Sequence, residues 1–174
     1  MHTDLIIVNR SPNYSEGMGQ ATLVEACAAN RTEDLIDELA QVWVSSVRAS
    51  HLFLSEADID EIKQVLPQAF TGIEHLVVAR DREGRAVGFM GAQACRLEML
   101  FIAAPFRGAG FGTKLLNLAI KDYGVTELTV NEENPLAVKF YSRHGFSIYK
   151  RSEIDEEGRP FSLLYMKRRP SIGN

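Results

Sequence analysis

At 174 residues, with 45% hydrophobic and 24% charged residues and a formal net charge of −4, the chain has the size and make-up of one globular domain able to bury a real core. The acidic balance excludes the basic face of a nucleic-acid-binding protein, since the cluster Lys167-Arg168-Arg169 is short, terminal and solvated. Cys27 and Cys95 form no CxxC pair and His2, His51, His75 and His144 lack ligand spacing; no disulfide framework or metal centre is expected, and a reduced, cytoplasmic setting is.

Residues 1–20 read as an extension. Leu5-Ile6-Ile7-Val8 is too short for a signal peptide or membrane span but suits an extra edge strand, and 9–20 are rich in turn formers such as Asn9, Ser11, Pro12, Asn13 and Gly17. The globular domain is expected over 21–170, with 171–174 as a tail. A short strand is predicted over 22–28, and Asn30 with Glu33 reads as a capping pair opening a helix. Its apolar positions Leu35, Ile36, Leu39, Val42, Trp43 and Val47 recur at helical spacing and form a core face. Ser55 and Asp58 open a second helix with Ile59, Ile62 and Leu66 on one side, and Pro67 is expected to stop it.

The period then changes to that of strands. His75–Arg80 and 86–92 flank the hairpin turn Asp81-Arg82-Glu83-Gly84-Arg85, and a third strand over 97–103 runs into a glycine-rich loop. The helix after the loop carries Phe111, Leu115, Leu118 and Ala119 and ends at Gly124. Then come a strand over Glu127–Asn131, a helix over 135–144 with Asn134 as N-cap and Pro135 at its first position, and closing strands near 146–150 and 161–166. This order predicts an α/β fold, one mixed sheet layered with helices and partly antiparallel.

The loop Phe106-Arg107-Gly108-Ala109-Gly110-Phe111-Gly112-Thr113 carries the chemistry. Glycines at 108, 110 and 112 are expected to take positive φ and bring backbone N–H groups close to a ligand, while the following helix adds its positive dipole end. That combination suits a phosphate or pyrophosphate. Two rival motifs fail on spacing: a dinucleotide fingerprint begun at Gly108 needs glycine where Thr113 stands, and a Walker A loop needs Gly-Lys-Ser/Thr where Gly112-Thr113-Lys114 stands.

What fits is Arg-x-x-Gly-x-Gly from Arg107, which resembles the coenzyme A pyrophosphate loop of the GNAT N-acetyltransferases. A second motif agrees: Asn134, Ala137, Phe140, Tyr141, Gly145 and Phe146 match the family's Asn-x-x-Ala-x-x-Phe-Tyr-x-x-x-Gly-Phe pattern. The resemblance covers roughly 21–169 and looks like the YjaB-type bacterial subgroup in Ser46-Val47, His51, Phe53-Leu54-Ser55, Val87-Gly88-Phe89-Met90, Leu100-Phe101-Ile102 and Arg151-Ser152-Glu153. It implies a GNAT fold with a mostly antiparallel sheet of about seven strands and helices on both faces. It also implies acetyl-CoA as co-substrate, no metal, and a protein that is a monomer or homodimer.

By the same resemblance, the N–H groups of Gly108, Ala109, Gly110, Phe111, Gly112 and Thr113 hold the diphosphate, supported by Arg107. Leu100, Phe101 and Ile102 pair with the pantetheine arm, and the Ile102 N–H faces the thioester carbonyl as an oxyanion donor. Asn134 and Ala137 touch the cofactor, and Tyr141 is the general acid that protonates the departing thiolate. Glu98 stands where protein-lysine acetylating relatives carry a glutamate base. Strand alternation puts it on one face with Leu100 and Ile102, opposite Leu97, Met99 and Phe101. Pairing with Arg96 is the competing reading. Glu132, Glu133 and His51 remain candidate bases, Thr129 cannot serve, and an amine that arrives neutral needs none. The acceptor site falls near residues 47–57, where Glu56, Asp58, Asp60 and Glu61 favour a cationic amine. A protein lysine is implied by the resemblance; a small amine such as a polyamine or antibiotic, and a non-catalytic acyl-CoA sensor, are the alternatives. A tRNA acceptor fits an acidic chain poorly.

Overall fold

The strand patterns assemble into one seven-stranded sheet of order β1-β2-β3-β4-β5-β7-β6. The strands are β1 Thr22–Glu25, β2 His75–Arg80, β3 Ala86–Gln93, β4 Arg96–Ile102, β5 Glu127–Asn131, β6 Phe146–Ser152 and β7 Leu163–Arg168. The computed structural model describes residues 22–156 and 158–169. The extension, its expected edge strand at Leu5-Ile6-Ile7-Val8, and the tail lie outside them.

All neighbours pair antiparallel except β4 and β5. Helices α1 Glu33–Ser50 and α2 Glu56–Gly72 cover one face, and α3 Phe111–Asp122 and α4 Pro135–Arg143 cover the other. Each face encloses its own apolar cluster: Leu39, Trp43, Phe70 and Phe89 on the first side; Met90, Leu115, Leu116, Tyr141 and Met166 on the second. The fold is thus the mixed sheet expected, with helices on both faces.

Three local expectations are corrected. Helix α1 is capped by Thr32, whose hydroxyl accepts from the Leu35 N–H (3.3 Å), while Asn30 closes a short 3-10 turn before it. Pro67 does not stop α2, which runs on to Gly72. The missing N–H costs one helical bond, but the turn beyond it buries Phe70 completely against Phe89 (ring centroids 5.1 Å). Arg31 then holds the helix end, its guanidinium donating to the carbonyls of Phe70, Thr71 and Ile73 at 3.0, 3.1 and 2.6 Å.

The third correction bears on the site. Gly91 faces Met99 but Ala92 faces Leu97, so Glu98 is the extra residue of a β-bulge. The bulge breaks the alternation: Leu97 packs in the α3/α4 cluster together with Leu100 and Ile102, while Met99 and Phe101 pack toward α1 and α2.

Candidate active site

β4 and β5 pair at only two positions, Arg96 with Glu127 and Leu97 with Leu128, after which β5 commits all five of its residues to β7. The sheet therefore opens between them, and the C-terminal half of β4 has a free edge. The Ala103 N–H donates to Val87 O on β3 at 2.9 Å. Alternation turns Phe101 to β3 as well and leaves the N–H and C=O of Leu100 and Ile102 facing the opening. Gly88 keeps the neighbouring strand low there, because a Cβ on it would collide with Ile102 Cδ1 and lie 2.9 Å from Phe101 O.

The glycine loop continues from this edge. Gly108 and Gly110 take positive φ (78° and 85°), and a Cβ at either would meet nothing within 4 Å. Their role is conformational, with open space above them. Gly112 has no positive φ, contrary to expectation; it lies in the first turn of α3, where a Cβ would stand 3.5 Å from Phe140. The left-handed Gly110 is the N-cap of α3 and supplies no side chain, and the first helical bond runs from Lys114 N to Gly110 O. The N–H groups of Phe111, Gly112 and Thr113 thus lack helical partners, and no acidic residue occupies the first turn. An anion fits this cradle.

Across the opening, Asn134 caps α4 through Oδ1, which accepts from Ala137 N at 3.2 Å, and Pro135 follows at the first position. This start aims Asn134, Ala137, Phe140 and Tyr141 into one cleft with Leu100, Phe101, Ile102, Arg107, Gly108, Gly110, Phe111, Gly112 and Thr113. Ala109 belongs to the loop, but its side chain packs on the core. Tyr141 is both core and cleft: it is 8% exposed, packs on Phe140 and Phe146, and its hydroxyl makes no hydrogen bond among the described residues. Burial pushes its phenol well above the usual tyrosine range, so it stays protonated.

Arg107 lies apart from the remaining loop groups. Its guanidinium turns to the last turns of α1, where Nη2 donates to Ser46 O (2.8 Å), Ser46 Oγ (3.0 Å) and Ser50 Oγ (3.0 Å). Ser46 and Ser50 line the cleft; Ser46 enters the sequence reading only as part of the subgroup resemblance, and neither carries an expected role there. Their signal was a serine pair spaced four residues apart, with Ser46 on the apolar face of the helix. His51 follows them into the cleft, half-buried between the rings of Phe53 (5.4 Å) and Phe101 (6.4 Å).

Glu98 is the expected catalytic residue that the fold does not bring to this cleft. Placed on the bulge, its carboxylate lies 3.2 Å from Arg96 Nε and lines a separate depression with Cys95, Thr126 and Glu127. Two of the other acidic candidates are also engaged. Glu132 pairs with Arg151 at 2.7 Å, and Glu56 of the acceptor region pairs with Arg48 at 2.6 Å. Among the described residues there is no group of three or more His, Cys, Asp or Glu side chains placed to hold a metal ion, and no helix is long and apolar enough to cross a membrane.

Residues 22–167 match the family described as acetyltransferase (GNAT) domain. Peptidyl-lysine N-acetyltransferase YjaB of Escherichia coli is 36% identical over 128 residues, 74% of this chain and 86% of that protein. The protein of the same name in Salmonella typhimurium is likewise 36% identical over 128 residues, 74% of this chain and 88% of that one. The solution structure of apo-form YjaB from E. coli superposes with a TM-score of 0.75 at 30% identity, covering 88% of this chain and 99% of that chain. The paia N-acetyltransferase of Thermoplasma acidophilum, solved in complex with coenzyme A, shares the fold at a TM-score of 0.60 and 18% identity, over 85% of this chain and 99% of that chain. The chain belongs to the GNAT acetyltransferases, enzymes that take their acetyl group from acetyl-CoA.

Proposed function

We propose that this GNAT acetyltransferase passes the acetyl group of acetyl-CoA directly to a primary amine, the side chain of a protein lysine, with Tyr141 as general acid. The observation that carries the reading is the company Tyr141 keeps. Its protonated hydroxyl, without a hydrogen bond among the described residues, shares one cleft with the free edge of Leu100 and Ile102 and with the bare N-terminus of α3. The α3 N–H groups and the left-handed glycines hold the diphosphate. The backbone of Leu100 and Ile102 holds the acyl arm as an added strand would, and the Ile102 N–H stabilises the oxyanion formed on attack. Tyr141 gives its proton to the departing sulfur and regains one from solvent.

Lysine as acceptor is supported by the names of the two relatives matched over most of their length, both peptidyl-lysine N-acetyltransferases. The test is thiol release from acetyl-CoA with lysine peptides, polyamines and aminoglycosides as acceptors. Lysine peptides are expected to give the highest kcat/KM. A faster polyamine or aminoglycoside replaces lysine with a small amine, and tight coenzyme A binding by calorimetry without turnover of any amine replaces the enzyme with a sensor.

A further inference from the structure

The proposed acid and donor contacts leave the one histidine among the described residues of the cleft unused. His51 directly follows the C-terminus of α1, and its Nδ1 lies 2.9 Å from Ser50 Oγ. The Ser50 hydroxyl has one proton, and it is donated to Ser46 O at 2.8 Å. Towards Arg107 Nη2 and towards His51 the same oxygen can only accept, so Nδ1 carries the hydrogen and Nε2 keeps a lone pair. Nε2 makes no hydrogen bond among the described residues.

The imidazole is also held neutral. Desolvation, with the nearby Arg107 charge added, pulls its pKa from 6.5 to about 4. From β4 and from the α1–α2 connection only rings face it, those of Phe101 and Phe53. Tyr141 of α4, in the same cleft, is uncharged. No carboxylate bonds to it among the described residues.

We propose that His51 Nε2 accepts the proton of the acceptor nitrogen, and that Arg107, Ser46 and Ser50 are positioning residues that hold the required tautomer. The inference rests on the acetyl-transfer reading above. As the amine lone pair forms the N–C bond, the nitrogen becomes far more acidic than the free ammonium, and a weak neutral base then suffices. Nε2 takes that proton, the C–S bond breaks, sulfur takes the Tyr141 proton, and His51 returns its proton to solvent. The amine enters already neutral, so one proton is removed per turnover. Arg107 thereby couples the two substrates, because the loop that holds the donor also orders the hydroxyl that sets the base.

His51→Gln is expected to lower kcat about a hundredfold while the coenzyme A Kd by calorimetry moves less than about twofold. Imidazole added to His51→Gly restores part of the rate, which a purely structural role would not allow. Ser50→Ala lowers kcat with little change in KM, and adds nothing in the His51→Gln background. Nitrogen-15 spectra of the wild-type ring should show the Nδ1–H tautomer, uncharged at pH 5. Full kcat in His51→Gln, absence of imidazole rescue, or an Nε2–H ring overturns the proposal alone. A wild type that acetylates no amine overturns the transfer reading and this proposal together, and Tyr141→Phe at full rate removes the acid but leaves the base.

Discussion

The proposed donor and acceptor sides of the cleft are built from different material. In the proposed reaction the working groups on the donor side are backbone: the free edge of Leu100 and Ile102, the turns at Gly108 and Gly110, and the N–H groups of Phe111, Gly112 and Thr113 that lack helical partners. On the acceptor side they are side chains gathered from distant elements. Phe53 and Phe101 enclose His51, and Phe53 meets Phe161 at 5.5 Å from the segment before β7. A backbone site fixes a common feature, the diphosphate and thioester of one donor. A side-chain site can differ between proteins that share the donor. Arg107 joins the two by reaching from the loop to Ser46 and Ser50.

The contrast can be broken at its strongest point with Gly110→Val. A β-branched residue resists the left-handed conformation that Gly110 holds at φ 85°. The loop must then turn its N–H groups away, and each charge-assisted bond lost costs about 1.5–3 kcal/mol. Calorimetry should show coenzyme A affinity falling about a hundredfold, with the thermal transition lowered by the backbone strain of a side chain at a left-handed position, although no neighbour crowds the site. Unchanged affinity would mean the diphosphate binds elsewhere.

At the opposite end of the scale, Glu98→Gln should leave kcat within about twofold of wild type. The carboxylate it removes pairs with Arg96 on an exposed bulge, outside the cleft. A loss of ten-fold or more in kcat would return Glu98 to the base position and displace His51. The result sharpens the comparison, since it decides whether β4 supplies side-chain chemistry or only backbone.

The same division explains what the sequence disclosed. The glycine loop and the Asn134-to-Tyr141 stretch were legible because backbone cradles impose residue types at fixed spacing, and local caps such as Ser55 with Asp58 or Asn134 act within one turn. The bulge at Glu98 was not legible, because a one-residue slip depends on how β3 and β4 pair, not on the composition of either strand. Pro67 misled because burial of Phe70 and the bonds from Arg31, thirty-odd residues away in the chain, hold the helix past it. The tie between Arg107 and Ser46 spans 61 positions, beyond the reach of any local pattern.

Tyr141 carries the proposed proton transfer to the leaving sulfur. Replacing it with Phe keeps the ring in the core and removes only the hydroxyl. Steady-state thiol release with a lysine peptide should then show kcat reduced about a hundredfold, with coenzyme A Kd unchanged within about twofold. A Tyr141→Phe enzyme with wild-type kcat would contradict the assignment of this cleft's proton donor.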